Sequence, residues 1–112
     1  MMNEKELKNY EKLVEMLKYK DDLYNLIDDM DLEPISYTYL KRNGIYDVAS
    51  ILEFIVTGEG IRWKKIKRYI LENIYGSDYK KVINYLDRMA AIDKIDYYEK
   101  QIKILKMKYE LE

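Results

Sequence analysis

Ile27-Asp-Asp-Met-Asp-Leu-Glu-Pro-Ile-Ser-Tyr-Thr-Tyr-Leu-Lys-Arg-Asn-Gly-Ile-Tyr-Asp-Val-Ala-Ser-Ile-Leu52 is the stretch that decides the fold. Its punctuation reads as a helix, a tight stop and a second helix. Pro34 has no amide hydrogen and pushes the residue before it out of the helical region, so the acidic segment is expected to end at an extended Glu33. Ser36 is expected to cap a short helix with Tyr39 and Leu40 turned inward and Lys41 and Arg42 outward. Gly44 falls where a left-handed residue stops that helix, because glycine lacks the Cβ that clashes there. Asp47 is placed to cap the next helix, in which Val48, Ile51, Leu52 and Ile55 recur at helical spacing.

Beyond Leu52, Thr57-Gly58-Glu59-Gly60 reads as a turn, and Ile61 to Tyr75 as a helix ended by Gly76. Trp63, Ile66, Ile70 and Ile74 form one side of that helix; Lys64, Lys65 and Arg68 lie on the opposite arc, with Lys67 on the flank. Residues 27–76 resemble the C-terminal domain of the bacterial RNA polymerase alpha subunit, a helix-hairpin-helix type. The likeness rests on the acidic pair Asp28-Asp29, the Leu32-Glu33 step, Ser36-x-x-x-Leu40-Lys41, the short turn into Ile45, the glycine turn at 57–60 and the basic helix after it. It implies a double helix-hairpin-helix core and a nucleic-acid interface made of Gly58, Gly60, Arg62, Lys64, Lys65, Lys67 and Arg68. There, turn amides and cationic side chains would meet phosphate oxygens. The chain also departs from the family. Where that domain presents an arginine and then an asparagine to the DNA minor groove, Ile35 and Thr38 stand here, and Glu59 occupies a usually aliphatic turn position.

The rest of the chain reads as amphipathic helix on either side, residues 1–26 before the hairpins and 77–112 after them. Asn3 and Glu6 form a capping box, so the first helix is expected to start at Glu4, with Leu7, Tyr10, Leu13, Val14 and Leu17 inward. It either runs on to Met30 or breaks near Lys20 and restarts with Asp21 or Asp22 as cap. Ser77 reads as the cap of a helix burying Val82, Ile83, Leu86, Met89 and Ala90. The pattern slips at Ala91 to Asp93, where Asp93 and Asp96 could restart a helix. Ile95, Tyr98, Ile102, Leu105 and Tyr109 then alternate in steps of three and four, the spacing of a coiled-coil seam. That seam is expected to pair with the first helix or with a second copy of the chain.

Composition sets the class. With 112 residues, 48% hydrophobic and 37% charged, one proline and four glycines, the chain fits one all-helical domain: a compact double-hairpin core flanked by long amphipathic helices. There is no histidine and no cysteine, which removes the commonest general base, the commonest zinc ligands and thiol chemistry. No catalytic residues, metal or cofactor are therefore expected. No apolar run approaches the ~20 residues that span a bilayer, so no membrane partner is expected and a cytoplasmic location is. The thirteen tyrosines are expected mostly at helix contacts, as apolar bodies with polar tips.

A net charge of −1 conceals an acidic segment, Asp21 to Glu33, and a basic one, Arg62 to Arg68. The leading functional expectation is a non-enzymatic nucleic-acid-associated module in transcription or its regulation. The rival is a protein-interaction adaptor, such as a phage or mobile-element regulator, that docks on a larger complex without gripping DNA. A homodimer through Ile95, Tyr98, Ile102, Leu105 and Tyr109 is the expected self-assembly; no small-molecule substrate is expected.

Overall fold

In a computed structural model, which describes residues 2–111, the chain is helical, and the described residues contain no β-strand beyond an isolated bridge between Leu26 and Asp47. It divides into two compact units, one ending at Val82 and the other starting at Ile83.

Helix α1 spans Glu4–Glu15 and opens as its capping box requires, the Glu6 amide donating to Asn3 Oδ1 at 2.8 Å. It does not run on to Met30. The Leu17 amide donates to Val14 O rather than continuing the α ladder, and short 3₁₀ turns follow at Lys20–Tyr24 and Ile27–Asp29. Neither Asp21 nor Asp22 caps the restart, which begins after an extended Tyr19. Leu13 and Leu17 are buried, whereas Leu7, expected inward, is 44% exposed.

Helix α2 spans Pro34–Arg42, one turn earlier than a Ser36 cap would place it. Proline fits the first helical position because the amide it lacks has no intrahelical partner there. Glu33 is the extended cap residue, and its amide donates to the Tyr69 hydroxyl at 2.9 Å. Ser36 is instead fully buried inside the first turn and donates its hydroxyl to Glu33 Oε1 at 2.8 Å. The helix ends as predicted. Gly44 has φ 72°, its amide donates to Lys41 O, and the Ile45 amide reaches back to Leu40 O, the paired bonds of a Schellman stop. The chain then runs alongside Asn25–Ile27, with the Ile27 amide on Tyr46 O and the Val48 amide on Asn25 O.

Helix α3, Val48–Thr57, starts on Asp47, whose side chain accepts from the Ser50 amide at 2.8 Å. Its Val48, Ile51, Leu52 and Ile55 are buried. Helix α4, Ile61–Tyr75, buries Trp63, Ile66, Ile70, Leu71 and Tyr75. Three rings join α2, α3 and α4: Tyr39 lies parallel to Trp63 with centroids 5.9 Å apart, and Phe54 meets the indole edge-on at 4.7 Å. Such pairs add about 0.5–1.5 kcal/mol each beyond area burial.

Gly76, at φ 59°, ends α4, and a 3₁₀ turn over Gly76–Asp78 leads into α5, Tyr79–Lys108. Ser77 therefore caps nothing; it sits inside that turn. No helix restarts at Asp93 or Asp96 where the pattern slips, since α5 is continuous for 30 residues. Alanine and the flanking charged residues are compatible with helix, so a change in which face is apolar does not force a change in backbone.

Candidate functional site

Two surfaces carry the residues singled out from the sequence, and they lie on different helices. The first is the start of α4. Gly60, at φ 113°, precedes the helix, and its carbonyl accepts from the Lys64 amide. Arg62, Lys64, Lys65 and Arg68 are exposed, while Lys67 is partly buried as its flanking position implies. Arg68 is held back along the helix. Its Nε lies 3.7 Å from Glu72 Oε1, and its guanidinium stands 6.0 Å from the centre of the Tyr79 ring. The Tyr79 hydroxyl, and after it Glu72, keep that guanidinium above its ordinary pKa. Gly58 does not offer a free amide, because its N–H donates to Phe54 O at 2.6 Å.

Within the acidic segment, Asp28 does not turn to the basic helix. Asp28 pairs instead with α2: Lys41 Nζ is 3.3 Å from its carboxylate, and the Tyr37 hydroxyl donates to it. The Tyr37 hydrogen bond, aided by Lys41, holds the Asp28 carboxyl below its usual pKa, and the same contact pushes the Tyr37 phenol up. Lys41 also stands over the Tyr46 ring at 4.8 Å.

Beside the start of α4, Pro34, Ile35, Thr38, Tyr39, Arg42 and Arg62 line an open groove of about 410 Å³. Ile35 is 71% exposed there. This brings Ile35 and Thr38 next to Arg62, and it adds Arg42, which the sequence marks only as an outward residue of α2. Two guanidinium groups flanking an apolar floor suit a partner that presents an anion beside an apolar body.

The second surface is the second half of α5. Ile95, Tyr98, Ile102, Leu105 and Tyr109 are between 52% and 61% exposed. Leu111 is exposed as well, and so are Ile92, Tyr97, Ile104 and Met107, which the sequence reading did not single out. Their signal is weaker because Lys100 interrupts the row Tyr97, Ile104, Met107 and Leu111, and Ile92 lies outside it. An isolated helix gains little from its own backbone, so a stripe this apolar is stabilised mainly by burial against a partner. The described residues contain no cluster of acidic side chains arranged to hold a metal ion, and no helix of theirs is long and apolar enough to cross a membrane.

No protein-family model matches the chain, and neither a curated relative nor a solved structure does.

Proposed function

We propose that the chain is a non-enzymatic association module in which the apolar seam of α5 docks on another protein helix. The observation that carries this reading is the exposure of Ile95, Tyr98, Ile102, Leu105 and Tyr109 at heptad spacing on one uninterrupted helix. Isolated apolar side chains on a surface require no explanation, but a periodic row of them fits a helix partner. The test is capture from a nuclease-treated lysate and from a mixture with a differently tagged copy of the same chain. The wild type is expected to retain a partner after nuclease, and Ile102→Lys/Leu105→Lys to lose it. Capture that disappears with the nucleic acid, or is indifferent to both lysines, overturns the reading.

A second reading has its own support in α4. Arg62, Lys64 and Lys65 are exposed next to the turn at Gly60, and the stretch 27–76 resembles the polymerase alpha C-terminal domain. On this reading the chain is a helix-hairpin-helix module that grips phosphate backbone in transcription, without base readout. Filter binding with duplex and single-stranded DNA and with RNA at low salt tests it. Lys64→Glu/Lys65→Glu is expected to abolish retention, and wild-type retention no better than that variant's removes the reading.

A further inference from the structure

Resting on the association reading above, we infer that the occupant of the α5 seam is a second copy of this chain, aligned parallel and in register. The seam fixes a heptad frame. Ile95, Ile102 and Tyr109 take the a positions and Tyr98 and Leu105 the d positions, supplying both knobs of each heptad. Tyr97, Ile104, Met107 and Leu111 form a second, shorter row on another side of the helix, which Lys100 interrupts after Tyr97, so only the first row supplies both knobs over two heptads. Upstream, Arg88 falls at an a position, so a charge closes the seam before Ala91.

The residues flanking the seam decide the orientation. The g positions are Lys94, Gln101 and Lys108, and the e positions after Ile95 are Glu99 and Lys106. In a parallel pair each g residue faces the e residue of the next heptad on the other helix. Lys94 then meets Glu99 of the second copy, twice by symmetry, and Gln101 meets Lys106 without repulsion. In an antiparallel pair g faces g, which sets a row with no acid in it against itself. Lys94 and Glu99 are both exposed, so their side chains are accessible to a second helix. A homodimer of parallel helices also needs no other gene product, because one stripe is complementary to its own copy about a two-fold axis.

Because the chain has no cysteine, single-cysteine variants of the full chain report the pairing without background. Light scattering is expected to show the mass rising with concentration from 13.7 kDa towards twice that value. Under mild oxidation Ile95→Cys alone and Tyr109→Cys alone are each expected to form a disulfide dimer, since both positions face themselves in a parallel register. In an antiparallel pair a positions pack against d positions of the other helix, so neither variant links to itself and Ile95→Cys mixed with Leu105→Cys links instead. Lys94→Glu is expected to weaken dimerisation roughly tenfold, and Lys94→Glu/Glu99→Lys to restore it. All these positions are exposed, so the variants test pairing rather than folding. A wild type that stays at 13.7 kDa at the highest concentration overturns the inference, as does linking of the Ile95→Cys and Leu105→Cys mixture in place of the single variants. If that monomer still captures another protein through Ile102 and Leu105, the association reading stands and only the second copy is lost.

Discussion

The Tyr75 hydroxyl donates to the Leu13 carbonyl at 2.8 Å, across 62 residues of sequence and with both residues buried. Leu17, the residue that would have donated to that carbonyl in a continued helix, donates to Val14 instead, so Tyr75 satisfies a backbone acceptor at the frayed end of α1. The last turn of α4 thereby holds α1 in place. Tyr75→Phe keeps the ring and removes the donor, and it is expected to cost about 1–2 kcal/mol. Urea unfolding of both proteins gives the difference; equal midpoints would mean that water replaces the hydroxyl.

Burial pushes the Tyr75 phenol well above its ordinary value of 10.0, with a smaller contribution from Tyr10. The neutral phenol binds its proton more tightly in the folded chain than in the unfolded one. Its contribution is therefore fully present below pH 10 and is lost as pH climbs from there towards the folded value. Thermal midpoints measured at successive pH values above 10 should fall more steeply for wild type than for Tyr75→Phe. Parallel curves would show that the other tyrosines and the lysines account for the whole alkaline loss.

Gly58 and Gly44 resist substitution for different reasons. A Cβ at Gly58 would lie 2.5 Å from Phe54 O, a backbone atom that cannot rotate away, so Gly58→Ala should cost about 1–3 kcal/mol. At Gly44 a Cβ meets nothing within 4 Å, yet φ is 72°, and Gly44→Val should cost more than about 1 kcal/mol through backbone strain alone. Denaturant titration of both variants separates steric from torsional cost. A Gly58→Ala protein as stable as wild type would mean that the 57–60 turn relaxes freely.

The two serines offer a paired test of where the helices begin. Ser36→Ala removes a fully buried hydroxyl bonded to Glu33, and about 1 kcal/mol is expected. Ser77→Ala touches an exposed side chain that caps no helix and should change stability by less than about 0.5 kcal/mol. Calorimetric midpoints for the two variants should therefore differ by several degrees; the reverse order would restore Ser77 as a cap.

Local chemistry alone was enough for the helical class, the Asn3 and Asp47 caps, the Gly44 stop, the buried face of α3 and the burial of Trp63, Ile66 and Ile70 on α4, though not for Leu71 and Tyr75. Each depends on residues within four positions of one another, where side-chain hydrogen bonds, φ preference and 3.6-residue periodicity act directly. The exposed cations of α4 and the heptad row of α5 were legible for the same reason. Contacts distant in sequence were not. Ser36 looks like a cap until Pro34 is seen at the first helical position and the Glu33 amide is seen bonded to Tyr69, 36 residues away. The end of α1 is set with Tyr75 waiting for the Leu13 carbonyl, the groove at Ile35 with Arg62 arriving from α4, and the fate of Asp28 with Lys41 and Tyr37 on α2. Continuity of α5 through Ala91–Asp93 followed from backbone propensity, which does not require one apolar face to persist. A sequence specifies what each residue can bond; which of several competing partners it meets is decided by packing, because only the folded chain brings residues tens of positions apart within hydrogen-bonding distance.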